Sequence, residues 1–350
     1  MLIIHYLESL SVGGAQALMY ELYDAIRRGY PQHEQMICLR RGAPVNKPFN
    51  KFWKAPYTHT NPAEIVKKFG RREDVVVLFN KLKQTDMSAT KIFHKYMPVI
   101  IVNHTLISAK TCKGKHDAIV SVSKHMHRLE KIWNPDSYNV LIRNAVGYKN
   151  YELIEARKTN YKGCLVTGRI NRVVGIKYSD SWLKWCATVK LPKKLVHEFM
   201  GVGEDYKRAV NLCRILKQKY RDAKGNIVRM IGSFDGFEQK IRILKSWDIF
   251  LYEVNHNEGT SMSVLESLAC SVPVICSNHY GNKELIEDGI NGYVYKKRED
   301  LKNILTDICQ KGKIEKLKQT TKTHFKKNLD ARFMADKYIV LCDKLLQKRL

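Results

Sequence analysis

Two glutamates separated by seven intervening residues hold the chain's densest chemistry. Glu258 and Glu266 bracket the run Asn257-Glu258-Gly259-Thr260-Ser261-Met262-Ser263-Val264-Leu265-Glu266. An apolar stretch at 249–252 precedes it as a buried strand, and 261–269 continues it at helical spacing. Glu258 then belongs to a loop, and Glu266 lies one to two turns into a helix. Unpaired backbone N–H groups at such a helix start (Thr260 and Ser261, with Gly259 permitting close approach) suit a diphosphate. A carboxylate has two acceptor oxygens, which suits paired sugar hydroxyls. Taken alone, the pattern has a plain alternative in which each carboxylate is a helix-start charge or part of a solvated face.

Other residues gain meaning only in company. Gly13-Gly14 follows an apolar stretch at 2–7, and Asn103-His104 follows another at 99–102. Gly168-Arg169-Ile170 follows a third at 164–167, and Arg172 and Lys177 lie just beyond. A guanidinium presents a charged fork to phosphate oxygens. Singly, these are a turn, a satisfied histidine at a strand end and a surface arginine.

Short β-branched runs alternate with helix-like stretches, and this alternation must position those residues. Strands are expected at 2–7, 35–39, 74–79, 99–102, 118–122 and 139–142, with a helix over 15–26. The pattern restarts with strands at 164–167, 196–200, 227–231, 249–252, 274–276 and 293–295 and helices at 206–220 and 261–269. Continuous apolar strands separated by helices imply parallel sheets covered on both faces. The expectation is α/β, with Rossmann-like domains at 1–147 and 148–330 and a polar hinge at 147–162. An amphipathic helix over 331–350 is expected to pack back on the first domain. Ligands of open α/β sheets bind at the strand carboxyl ends.

Bulk properties narrow the class. With 350 residues and 44% hydrophobic content, the chain suits two globular domains. No uncharged apolar run of spanning length occurs, and the apolar N-terminus lacks a basic region and a cleavage site. Nine cysteines without paired spacing point to reduced thiols and a cytoplasmic protein. Lys and Arg number 61 against 34 Asp and Glu, for a net charge of +27. That excess favours a polyanionic partner, either nucleic acid, an anionic membrane surface or an acidic glycan; a lysine-rich solvated surface is the bland alternative.

The run from Glu258 to Glu266, followed by Pro273-Val274-Ile275 and Glu284-Leu285-Ile286-Glu287-Asp288-Gly289-Ile290-Asn291-Gly292, resembles the Glu-x7-Glu signature and tail of retaining glycosyltransferase family 4. Gly13-Gly14-Ala15-Gln16, Asn103-His104, Ser121-Val122-Ser123, Asn144-Ala145-Val146 and Gly168-Arg169-Ile170 resemble further marks of that family, in order. The resemblance implies the GT-B fold, with two Rossmann-like domains facing a central cleft and the donor bound there. It implies a retaining hexosyl- or pentosyltransferase that uses no metal and no cofactor and draws on a nucleotide sugar, with a UDP-sugar first in line. Glu258, His104 and Arg169 take the catalytic roles by this resemblance. Gly13, Gly14, Gly259, Thr260, Ser261 and Glu266 join Glu258 and Arg169 around the donor, with Glu266 on the ribose. One departure stands out: Val174 occupies the position of the family's lysine, leaving Arg172 or Lys177 as candidate replacements.

The acceptor is read from charge. Arg40, Arg41, Lys51, Trp53 and Lys54 belong to basic clusters interleaved with aromatics, which suit a phosphate backbone and stacked bases. DNA carrying hydroxymethylated bases, as modified by some viral GT-B enzymes, is the first expectation, with the host cytoplasm as its setting. Glycan or lipid-linked saccharide synthesis by a membrane-peripheral enzyme is the second. A catalytically inactive nucleotide-sugar or nucleic-acid binding protein is the third, and a hydrolysing epimerase remains a further option. No obligate protein partner is evident.

Overall fold

The structure is a computed structural model, and it describes residues 1–7, 13–43, 56–81, 87–104, 115–220, 225–253 and 259–349. The chain divides into two compact units. One comprises Met1–Gly147, Glu258–Met262 and Leu329–Leu350, the other Tyr148–Asn257 and Ser263–Asn328.

In the first unit, strands β1 (Leu2–Leu7), β2 (Glu34–Arg40), β3 (Tyr57–Thr60), β4 (Val75–Lys81), β5 (Val99–Asn103), β6 (Ala118–Ser121) and β7 (Asn139–Leu141) form one sheet. Its order is β3-β2-β1-β4-β5-β6-β7, and every neighbouring pair is parallel. β1 is buried along its whole length, as a strand covered on both faces must be. Alternation divides its side chains between two cores. Ile3 joins Leu18, Leu22 and Ile26 of helix α1 (Gly14–Gly29), Met126 of α4 (Lys124–Trp133), and Tyr338, Leu341 and Leu345 of α12 (Ala331–Gln347). Ile4 and Tyr6 face the other way, toward Ile65 and Phe69 of α2 (Pro62–Phe69) and Phe93 of α3 (Ser88–Phe93). β3 is absent from the sequence expectation because Tyr-Thr-His-Thr is a half-exposed edge strand without an apolar run.

The second unit repeats the plan. β8 (Leu165–Ile170), β9 (Leu195–Met200), β10 (Ile227–Gly232), β11 (Ile249–Tyr252), β12 (Val274–Ser277) and β13 (Gly292–Tyr295) lie in the order β10-β9-β8-β11-β12-β13, again all parallel. Its helices are α5 (Lys149–Glu152), α6 (Asp180–Thr188), α7 (Tyr206–Lys219), α8 (Phe237–Lys245), α9 (Met262–Ala269), α10 (Arg298–Ile308) and α11 (Lys313–Asn328). β8 runs three residues past the expected end, so Arg169 belongs to the strand and not to the loop after it.

In both sheets the strand order reverses beside the first strand of the unit, between β1 and β4 and between β8 and β11. The loops leaving those strands diverge there, which opens the usual ligand crevice of the doubly wound fold. Among the described residues, no helix is long and apolar enough to cross a membrane.

Candidate functional site

At the switch point of the second unit, Arg169 is only 4% exposed. Its guanidinium carbon lies 5.5 Å from the Phe199 ring centroid and 5.2 Å from that of Tyr252. Nε donates to Asn171 Oδ1 at 2.7 Å, and Nη2 donates to the carbonyls of Lys177 at 2.9 Å and Glu253 at 2.6 Å. Arg169 thus ties the turn after β8 to the residue that follows β11. A buried guanidinium held this way fixes loop backbone as well as contributing positive potential.

Close backbone approach sets the same turn. A Cβ on Gly201 (φ 151°) would lie 1.8 Å from the Asn171 carbonyl oxygen, and the Val173 amide donates to the Val202 carbonyl at 3.0 Å. Arg172 on this turn is exposed and Lys177 is half-buried. Glu253, at the edge of the described chain, accepts from Arg298 Nη2 at 3.1 Å through Oε1. Arg298 also donates to Ser181 Oγ at 3.0 Å.

Glu266 sits in the second turn of α9, 4% exposed. Lys240 Nζ, on α8, donates to its Oε1. Lys240 is itself 7% exposed, and its ammonium lies 5.6 Å from the Phe234 ring centroid and 5.7 Å from that of Phe237. Sequence reasoning passed over Lys240. The available signal was a lysine in register with Phe237, Ile241 and Leu244 on the apolar stripe of a short helix. α9 closes in a Schellman motif, with the Val272 amide donating to the Ser267 carbonyl and the Ser271 amide to that of Leu268, both at 3.0 Å. Ser271 occupies the left-handed position there at φ 62°.

The first unit gathers a different set. Gly13, with extended backbone, is the N-cap of α1, and Gly14 opens the helix. A Cβ on Gly14 would meet Met262 Cγ at 3.4 Å. His104, just after β5, has its Nε2 3.1 Å from Asn80 Oδ1 at the end of β4. Desolvation lowers the imidazole pKa to about 4, which keeps the ring neutral near pH 7. A hydrogen bond to the Asn80 carbonyl oxygen requires the proton on Nε2.

Gly259 packs against the same place. A Cβ on it would lie 2.6 Å from Met126 Sδ, 3.3 Å from Val122 Cγ2 and 3.7 Å from the His104 carbonyl oxygen. Thr260 Oγ1 donates to the Val122 carbonyl at 3.2 Å, and Ser261 is buried. Histidine, glycine and threonine from distant parts of the chain, His104, Gly259 and Thr260, thus share one neighbourhood.

The expected acceptor residues are only partly placed. Arg40 ends β2 with its side chain exposed. Arg41 pairs with Glu64, which also accepts from the Asn61 amide at 3.1 Å and Thr60 Oγ1 at 2.9 Å in the capping box of α2. Arg41 is therefore built into a helix start. Glu258, Lys51, Trp53 and Lys54 lie outside the described residues. Among the described residues, no group of three or more His, Cys, Asp or Glu side chains converges as for a metal ion.

Residues 154–327 match the family model described as glycosyl transferases group 1. An uncharacterized glycosyltransferase of Methanocaldococcus jannaschii is 25% identical over 248 residues, covering 66% of this chain and 59% of that protein. The chain thus spans about three-fifths of the length of this curated relative. Anabaena HepE, solved in complex with UDP, superposes with a TM-score of 0.71 at 13% identity, covering 99% of this chain and 100% of that one. The pneumococcal O-GlcNAc transferase GtfA, solved with UDP and GlcNAc, gives 0.70 at 10% identity, covering 99% of each chain. The fold is that of GT-B glycosyltransferases, two parallel-sheet Rossmann-like α/β domains.

Proposed function

We propose that the protein is a retaining, metal-independent glycosyltransferase of family 4 type that moves a sugar from a nucleotide donor, first choice a UDP-sugar, to a polyanionic acceptor. The observation that carries the reading is the coincidence of the group 1 glycosyl transferase match with a buried carboxylate, Glu266, on the helix that leaves the switch point of the second sheet. Relatives of the same fold hold UDP.

In this reading Glu266 accepts from the nucleotide ribose, and the amides around Thr260 and Ser261 receive the diphosphate. Gly13 and Gly14 let backbone approach the phosphates. Arg169 adds buried positive potential and holds the neighbouring turn in place, while Arg172 or Lys177 supplies the charge that Val174 lacks. Developing charge on the leaving diphosphate is then met by preorganised donors and cations without a metal. Glu258 and neutral His104 orient the transferred sugar. A neutral imidazole suits that task because it hydrogen-bonds a hydroxyl without a charge that must be desolvated.

The net charge of +27 supports a polyanionic acceptor, and Arg40, Lys51, Trp53 and Lys54 remain its candidate contacts. DNA with hydroxymethylated pyrimidines is the first acceptor to test. The experiment incubates the protein with UDP-, GDP- and ADP-sugars, with and without such DNA, and reads products by mass spectrometry in the presence and absence of EDTA. A hexose or pentose mass on the DNA, with the anomeric configuration kept and no effect of EDTA, is expected. Donor hydrolysis without transfer to DNA would move the acceptor to a glycan or lipid-linked saccharide. No consumption of any donor would contradict the enzyme reading.

A further inference from the structure

A lysine on the buried stripe of a helix calls for a physical reason. Lys240 lies in the first turns of α8, which follows β10, and its partner Glu266 lies in α9, which follows β11. Both groups therefore stand toward the carboxyl edge of the second sheet, where ligands of this fold bind. Burying two charges costs several kcal/mol per ion before their attraction is counted, and an apolar pair of similar volume commonly stabilises as well or better. Stability alone does not account for the pair.

Geometry supplies another reason. Lys240 engages Oε1, which fixes the rotation of the carboxylate and leaves Oε2 as the oxygen that a ligand hydroxyl would meet. The ammonium is itself located by the rings of Phe234 and Phe237, and Phe237 stands edge-on to Tyr151, with centroids 5.2 Å apart and fully buried tyrosine behind it. A lysine backed by aromatic rings has few alternative positions.

We propose that Lys240 is the positioning residue for the carboxylate that reads the donor's ribose, and that this pair makes the protein select nucleotides with an intact ribose diol. The inference rests on the donor role given above to Glu266. It assigns Lys240 no contact with the reacting atoms. With Lys240 in place the carboxylate is oriented before the nucleotide arrives, so little ordering remains when it binds.

The test uses calorimetry on the full chain with two probes, UDP and 2′,3′-dideoxy-UDP, and three proteins: wild type, Lys240→Met and Lys240→Arg. Wild type is expected to prefer UDP by about tenfold or more, the scale of losing hydrogen bonds to a charged group. In Lys240→Met, UDP should weaken to near the dideoxy value while 2′,3′-dideoxy-UDP is unchanged, so the preference collapses. Lys240→Arg should recover most of it.

Equal weakening of both probes in Lys240→Met would show a merely structural lysine and overturn the proposal. A full wild-type preference in Lys240→Met would also overturn it, while leaving the donor reading intact. If wild type binds UDP and 2′,3′-dideoxy-UDP equally, the ribose role of Glu266 fails and takes the proposal with it. Lys240→Arg keeps the test decisive should Lys240→Met fold poorly, since loss of preference in a folded Lys240→Arg with both probes still bound equally would count against an orienting cation.

Discussion

The carboxyl edges of the two sheets are built from opposite materials although their strand orders follow one plan. Among the described donor-side residues, those of the first unit are glycine backbone and uncharged side chains: Gly13, Gly14, Asn80, neutral His104, Gly259 and Thr260. In the second they are fixed charges held by partners, Arg169 on two carbonyls, Glu253 on Arg298, and Glu266 on Lys240. A neutral hexose is held by hydrogen bonds that need no counter-charge, whereas a nucleoside diphosphate calls for preorganised charge and for a carboxylate on its ribose. A shared fold thus does not determine the chemistry of a site; the side chains at the strand ends do.

The largest expected effect comes from unmaking the charged edge. Arg169→Met leaves the Lys177 and Glu253 carbonyls without their buried donor, each loss costing about 1–3 kcal/mol. The second unit should lose several degrees of thermal stability and donor turnover should fall by about 100-fold or more, measured by calorimetric melting and steady-state kinetics. A stable variant with normal turnover would break the contrast at its strongest point.

Next in size is the uncharged edge. Gly259→Val puts a side chain where Met126 Sδ would be 2.6 Å away, so the Thr260 bond to the Val122 carbonyl must shift. Turnover should fall by roughly tenfold, about 1.4 kcal/mol in the barrier, and UDP affinity should fall with it, since the amides beside Gly259 are the diphosphate's donors in this reading. Unchanged UDP affinity would remove Gly259 and Thr260 from the neighbours of the diphosphate.

His104 sharpens the comparison through pH. An unfolded chain protonates histidine near 6.5, whereas the folded imidazole resists until about 4. The stability that neutral His104 contributes is complete above pH 6.5 and is lost as the pH falls toward 4, by about 1.4 kcal/mol per unit for this one proton. Urea midpoints measured at pH 7 and pH 4.5 should therefore diverge less in His104→Gln than in wild type. An unchanged divergence would mean that the ring is not desolvated.

The smallest effect concerns the helix that carries Glu266. Ser271 holds a left-handed conformation that costs an L-residue about 1–2 kcal/mol, and glycine removes that strain while gaining freedom in the unfolded chain. Ser271→Gly should stabilise by about 0.5–1 kcal/mol in urea unfolding, with donor affinity unchanged.

Much of the architecture was legible because buried parallel strands are largely apolar: the expected runs at 2–7 and 249–252 coincide with β1 and β11. β3 was not legible, since an edge strand carries no such run. The Glu266 helix followed from the helical spacing over 261–269, whereas the nearness of His104 to Gly259 did not. What the sequence withheld was partnership. Nothing in Gly168-Arg169-Ile170 shows that the guanidinium is sandwiched between Phe199 and Tyr252, because those rings come from other strands. Lys240 stayed hidden for the same reason, since a lysine on an apolar stripe signals burial without naming the carboxylate that permits it.

The central claim, that the second unit holds the nucleotide of a sugar donor through Glu266, is tested most directly by titrating UDP into wild type and Glu266→Ala in a calorimeter. Saturable binding by wild type and a loss of about 30-fold or more in a variant of unchanged circular dichroism is the predicted result, the scale of removing a charged hydrogen-bond acceptor. Equal affinity in the two proteins would contradict it.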